Sequence, residues 1–293
     1  MKIKIPHIKW SKKKKILFIF SFLFILIVVL LNVFLTLRTS DKKTKQYFQE
    51  ANIECSIDYI PTSLRNHKIR VISTGNHVEN TILFIHGAPG AADAFYSYLK
   101  DSTLLQNARL ISYDRPGYGY SGFGMSMTTT KEQAYIVKEI IDYYNLSNVL
   151  VVGHSYGGPI AAYATLVSSK INGALLLAPA IDPDYEKYYW FGNFAKWKLT
   201  KWAVPTAFIV SADEKYTHEE DMRTLVNEWQ NINVPVVCLQ GDKDILVPYE
   251  NLKFCKEHFN SEYFTGITIE NENHFIPWTK KELVIEEILK LLK

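Results

Sequence analysis

Hydrophobic positions along this chain fall into two regimes. From residue 16 to residue 37 they are nearly continuous: in ILFIFSFLFILIVVLLNVFLTL only Ser21, Asn32 and Thr36 are polar and none is charged. At 1.5 Å per residue such a run makes a helix about 33 Å long, enough to cross a hydrocarbon core about 30 Å thick. The run exceeds the apolar core of a cleaved signal peptide, usually about 7 to 15 residues, and no small-residue cleavage pattern follows it. It reads as an uncleaved membrane anchor. Beyond it, short β-branched runs alternate with segments of helical period, the pattern of a mostly parallel sheet covered by helices. Strands are expected over 68–73, 81–85, 109–113, 149–152, 173–178, 234–240 and 263–270, and helices over 130–144, 159–168, 249–259 and 280–292.

One stretch breaks this alternation. Between the strand ending near Ala180 and the one starting at Val234 lie dense aromatics, among them Tyr185, Tyr188, Tyr189, Trp190, Phe194, Trp197 and Trp202, then a charged helical segment near 219–229. An insertion of that size at the carboxyl edge of a parallel sheet lies over the crevice where such sheets bind ligands, so 181–233 is expected to be a cap. Its aromatics serve either to pack the cap onto the domain or to hold an apolar substrate group.

Charge sharpens the division. The chain carries 33 basic and 30 acidic residues, but eleven of the basic ones fall in residues 1–45, against one acid, Asp41. The rest is net acidic, near −7, which disfavours a nucleic-acid partner. Seven lysines precede the apolar run and four basic residues follow it closely, so the amino end is expected to be cytoplasmic and the folded domain extracytoplasmic. The expected organisation is a basic tail at 1–15, a transmembrane helix at 16–37, a polar spacer at 38–54 and a folded domain at 55–293. Three scattered cysteines, Cys55, Cys238 and Cys255, make neither a disulfide framework nor a zinc site. They read as two buried small hydrophobes and a loop thiol.

The candidate chemistry sits at strand ends. Val149 to Val152 leads directly into Gly153-His154-Ser155-Tyr156-Gly157-Gly158 and then a helical run: strand, sharp turn, helix, with a serine at the apex. A serine hydroxyl is a poor nucleophile until a base held by a third group takes its proton. After the strand near 235–239 comes Gly241-Asp242-Lys243-Asp244, and after the next strand comes Asn273-His274-Phe275. Asp244 is preferred to Asp242 because it lies deeper in the loop leaving the strand, and His274 is the candidate base. Of the other histidines, His86 and His154 precede glycines of other motifs, while His218 and His258 read as solvated helix positions. An oxyanion needs backbone donors, and the N–H groups of Tyr156 and of Ala88, in His86-Gly87-Ala88-Pro89-Gly90, are the candidates.

Taken together, these residues resemble the α/β-hydrolase superfamily over essentially all of 55–293, through HGAPG at 86–90, DRPGYGYS at 114–121, GHSYGG at 153–158, GDKDILVP at 241–248 and NHF at 273–275. The first two motifs look like the subgroup of proline iminopeptidases, esterases and haloperoxidase-like enzymes. The resemblance implies a triad of Ser155, Asp244 and His274, an oxyanion hole at Ala88 and Tyr156, and neither metal nor organic cofactor. Tyr156 stands where iminopeptidases usually carry tryptophan. Ser155 argues against the epoxide-hydrolase and dehalogenase chemistries, which use an aspartate nucleophile. The expected activity is cleavage of a carboxylic ester or thioester with a small-molecule acyl substrate. Two alternatives are an iminopeptidase, with Glu214 or Glu219 binding a substrate amine, and a membrane-tethered binding protein that keeps the fold without turnover.

Overall fold

The computed structural model describes residues 11–76 and 79–292. Lys2, Lys4 and Lys9 of the basic tail therefore lie outside the described residues. The apolar run forms α1 (Lys12–Phe34), which starts earlier and ends earlier than its composition suggests. Lysine is a good helix former, and the Ser11 hydroxyl accepts the Lys14 N–H at 3.4 Å, so the first turn takes in the four lysines. The helix stops at Leu35, and Leu37 turns into the left-handed region with φ +51°. Only Val28 of α1 is buried, and among the described residues this is the one helix long and apolar enough to cross a membrane.

The stretch 38–54, read from its polarity as a spacer, is folded onto the domain. It contains α2 (Asp41–Gln49), capped by Ser40, with Thr44 and Phe48 fully buried. Asp41 accepts from Arg70 Nε at 2.8 Å and from the Tyr59 hydroxyl at 3.1 Å. Two adjacent aromatics, Tyr47 and Phe48, in nine residues leave no periodic hydrophobic pattern, yet with two polar anchors they fix the helix.

Eight strands form one sheet in the order β1-β2-β4-β3-β5-β6-β7-β8. These are β1 (Cys55–Pro61), β2 (Lys68–Thr74), β3 (Thr81–Ile85), β4 (Arg109–Tyr113), β5 (Val149–His154), β6 (Ile171–Leu177), β7 (Val236–Gly241) and β8 (Phe264–Ile269). From β4 to β8 along the sheet all neighbours are parallel, whereas β1–β2 and β2–β4 are antiparallel. Strand β1 is absent from the expected set. It is an edge strand of mixed polarity, with Ile60 its one buried residue.

The central strands are buried on both faces, which is why they read as continuous apolar runs. On one side Leu83, Ile85, Val149 and Val151 pack against α3 (Thr130–Tyr143) and α4 (Gly157–Val167) through Ile136, Ile140 and Ile160. On the other, Ile82, Phe84, Leu150 and Val152 share a cluster with Phe48 of α2 and with Val284 and Ile288 of α7 (Lys281–Leu291). The cap contains α5 (Thr206–Leu225), and α6 (Glu250–His258) follows β7. Cys238 and Cys255 are buried free thiols, while Cys55 lies in β1 rather than in a loop.

Candidate active site

Ser155 occupies the single residue pair between the end of β5 and the start of α4, and its φ is +56°. A non-glycine residue in the left-handed region is strained by roughly 1–3 kcal/mol and persists only where its surroundings hold it. Here the Ser155 N–H donates to the Leu177 carbonyl at 2.9 Å, and its own carbonyl accepts from Gly158 and Ala180 at 2.9 and 3.2 Å. The turn is also closely packed, since a Cβ at Gly157 would strike the Ile85 carbonyl oxygen. Glycine is required there, and it brings the end of β3 directly against the turn.

His274 and Asp244 come together from two adjacent loops. His274 Nδ1 donates to Asp244 Oδ2 at 2.7 Å, which leaves the opposite ring nitrogen, Nε2, outside this contact. The carboxylate is fully engaged: Oδ1 accepts the N–H groups of Leu246 and Val247 at 2.9 and 2.8 Å, and Oδ2 also accepts Gln240 Nε2 at 3.1 Å. Such contacts fix the carboxylate and leave it no freedom to turn away from the ring. Asp242 is exposed, and its backbone N–H bonds Ile269 O. The two loops are clamped at their base, where Lys243 N–H donates to Glu272 O at 2.9 Å and a Cβ at Gly241 would collide with the same oxygen.

Ser155, His274, Ala88 and Tyr156 all line one cavity of about 630 Å³. Among the described residues no hydrogen bond links the Ser155 hydroxyl to His274, and the N–H groups of Ala88 and Tyr156 donate to no protein acceptor. Two unpaired backbone donors in the same cavity as a serine are free to donate hydrogen bonds to a developing negative charge.

The neighbouring histidines have other tasks. His154 donates from Nε2 to the His274 carbonyl at 3.1 Å, and its ring packs on those of His274 and Trp278. Burial, and secondarily the nearby His274, push its imidazole down to about 3, so it is a neutral strut. His86 accepts the Arg115 N–H on Nε2 at 3.0 Å and donates from Nδ1 to Gly87 O at 2.7 Å. Burial, then the Arg115 charge, hold it well below the ordinary histidine range.

Arg115 is the largest polar element that sequence reading missed. Fully buried, its Nε and Nη2 donate to the carbonyls of His86 and Gly87 at 2.9 and 3.1 Å, just before Ala88. Its Nη1 and Nη2 meet Glu214 of α5 at 2.5 and 3.1 Å, and the Tyr118 hydroxyl donates to the same carboxylate at 2.7 Å. The cap is thereby tied to the loop carrying Ala88. Glu214 is sealed in this pair, and Glu219 bonds Arg223 on the surface; neither carboxylate lines the cavity. The expectation that one of them meets a substrate amine is corrected accordingly. His218, expected to be solvated, is 1% exposed: it donates from Nε2 to Ala180 O at 2.8 Å and packs on the Tyr156 ring. His258 is half-buried and stacks on Phe254. Among the described residues no group of three or more His, Cys, Asp or Glu side chains is placed to hold a metal ion.

Comparison with known proteins agrees with this architecture. The family profile for the alpha/beta hydrolase fold matches residues 80–203, from β3 through the serine turn and into the cap. A Mycoplasma pneumoniae protein provisionally named esterase/lipase 3 is 29% identical over 118 residues, covering 38% of this chain and 40% of that protein. Proline iminopeptidase PfmaB of Pestalotiopsis fici is 21% identical over 262 residues, 71% of this chain and 89% of its own. The chain spans less than half the length of the first curated relatives it matches. Among solved structures, a membrane phospholipase A described as a bacterial virulence factor superposes with a TM-score of 0.65 at 18% identity, covering 96% of this chain and 98% of that one. With the sheet order, the strained serine turn and the profile match all converging on the same segment, the chain has the α/β-hydrolase fold.

Proposed function

We propose that this chain is a membrane-anchored serine hydrolase of the esterase/lipase type, cleaving a carboxylic ester or thioester through an acyl-enzyme. The observation that carries the reading is the 2.7 Å contact between His274 Nδ1 and Asp244, in the same cavity as the strained Ser155. Asp244 holds the ring with Nε2 unprotonated, the form a general base requires.

In the proposed cycle His274 takes the Ser155 proton as Oγ bonds to the acyl carbon, and the N–H groups of Ala88 and Tyr156 stabilise the oxyanion. The bond to the leaving alcohol or thiol breaks as His274 returns the proton to it. Water then loses a proton to His274 and attacks the acyl carbon; the acid leaves and Ser155 regains its proton. The Ser155–His274 hydrogen bond forms on substrate binding, since such bonds are often long in the empty enzyme.

The iminopeptidase alternative has support from the names of two relatives but loses its two candidate amine ligands, Glu214 and Glu219, to other partners. An anchor at α1 with the lysine-rich amino end cytoplasmic and the domain outside follows from the charge distribution. The test is hydrolysis of p-nitrophenyl esters, a thioester and a proline amide by the detergent-solubilised full chain. The expected result is ester or thioester turnover that falls by as much as about 10⁶-fold in Ser155→Ala. Preference for the proline amide, or unchanged turnover in that variant, contradicts the proposal.

A further inference from the structure

The cavity holding Ser155 is not built from the hydrolase domain alone. Leu31, in the last turn of α1, and Leu35, just beyond it, form part of its wall, opposite cap residues such as Val204, Pro205 and Phe208. This position is fixed by several contacts rather than by one. The Arg38 guanidinium lies over the Tyr120 ring at 4.2 Å and the Phe123 ring at 4.7 Å, and the Thr39 hydroxyl donates to Asp93 at 2.6 Å. The docked helix α2 follows at once, so no flexible tether separates the apolar helix from the catalytic domain.

The cap also reaches down along α1. Phe24 meets the Trp202 ring edge-on at 6.3 Å, ten residues before the end of the helix. Ten residues of α-helix correspond to about 15 Å, so this edge of the cap lies about half a hydrocarbon core below the outer end of α1. The side chains there suit such a depth. Trp197, Leu199 and Trp202 are 54%, 87% and 58% exposed, far more apolar surface than a water-facing turn usually shows. Trp202 Nε1 donates to Leu199 O at 2.9 Å, which leaves the indole with no unmet donor in an apolar medium. Lys198 and Lys201 are exposed between these residues.

We infer that the membrane helix completes the acyl pocket, and that the substrate is the acyl ester of a bilayer lipid, entering sideways between α1 and the cap edge. The inference rests on the serine-esterase reading and on α1 as an anchor, and adds to them the source of the substrate. A lipid chain in the outer leaflet then passes from hydrocarbon into a cavity walled by Leu31, Leu35 and Phe208 without crossing water, which avoids exposing its methylene groups to solvent. The Lys15–Ser21 end of α1 has no part in it, since it lies toward the opposite leaflet.

Two measurements separate this from the catalytic reading. In the first, the full-length Ser155→Ala chain is reconstituted in phosphatidylcholine vesicles containing a phospholipid with a diazirine on its acyl chain. Illumination is expected to place adducts on the cap segment from Val204 to Phe208, reduced at least fivefold in Leu35→Trp, which fills the wall. Adducts confined to α1, or crosslinks joining cap edges of two protein copies instead, overturn the inference. In the second, kcat/KM is compared for vesicle phospholipid and for a soluble short-chain ester. Leu35→Trp is expected to lower the ratio of the first to the second by about tenfold, and an unchanged ratio overturns the proposal. Failure of the esterase reading looks different: neither ester is turned over by the wild-type chain, while lipid labelling of the cap persists.

Discussion

Glu214 and Arg115 meet in a fully buried, two-point contact, Oε1 to Nη1 at 2.5 Å and Oε2 to Nη2 at 3.1 Å, one from the cap and one from beneath the loop that carries Ala88. Two further donors, Tyr118 and Gln133, complete the carboxylate's set at 2.7 and 3.0 Å. The pair therefore joins the cap to the loop that carries Ala88.

Removing one partner leaves the other as an uncompensated buried charge, which typically costs about 3–5 kcal/mol. Glu214→Ala is expected to destabilise the detergent-solubilised full chain by that order, measured by denaturant titration. The double variant Arg115→Met/Glu214→Leu is expected to recover more than half of the loss. A Glu214→Ala chain within about 1 kcal/mol of wild type contradicts the assignment of this pair as the tie between cap and domain.

The two aspartates of the loop after β7 give a second contrast. Asp244 contacts His274 and accepts three further hydrogen bonds, whereas Asp242 is exposed. Asp244→Asn keeps the shape but favours the wrong tautomer of the ring, and by analogy with other triads kcat is expected to fall by about 10⁴-fold. Asp242→Asn is expected to stay within about twofold of wild type. Steady-state kinetics on one p-nitrophenyl ester decide between them, and equal losses for both variants contradict the proposed roles.

Acid sensitivity follows from His86 and His154. Both are buried, and burial lowers both folded-state pKa values from the 6.5 of a free histidine, that of His154 to about 3. In the unfolded chain each gains a proton as pH falls through about 6.5, while in the folded chain each stays neutral. Their contribution is therefore complete above about pH 6.5 and is lost on acidification toward the folded values. The slope is up to about 1.4 kcal/mol per pH unit for each ring. Unfolding midpoints at pH 7.5, 6.5 and 5.5 are expected to fall most steeply over the last step. Midpoints that rise on acidification across this range contradict the neutral assignment.

What the sequence revealed depended on whether a pattern was carried by apolar residues. The central strands are buried on both faces and announced themselves as β-branched runs, and the serine turn followed from its place between β5 and α4. Strand β1 escaped notice because Cys55, Ser56 and Asp58 dilute its alternation at an edge that needs little burial. Helix α5 was placed late for a different reason. Its buried face includes Glu214 and His218, which look solvated in sequence and are buried only because Arg115 and Ala180 lie opposite them. The same blindness to long-range partners hid Arg115, while Asp244 and His274 were legible because each follows a strand end.

The central claim is that residue 155 is a nucleophile activated by residue 274. Its most direct test is mass spectrometry of the solubilised full chain after reaction with a fluorophosphonate. One adduct is expected on the tryptic peptide containing Ser155, formed at least about 10²-fold more slowly in His274→Ala and absent in Ser155→Ala. A folded wild-type chain with no adduct on that peptide, or one labelled equally fast without His274, contradicts it.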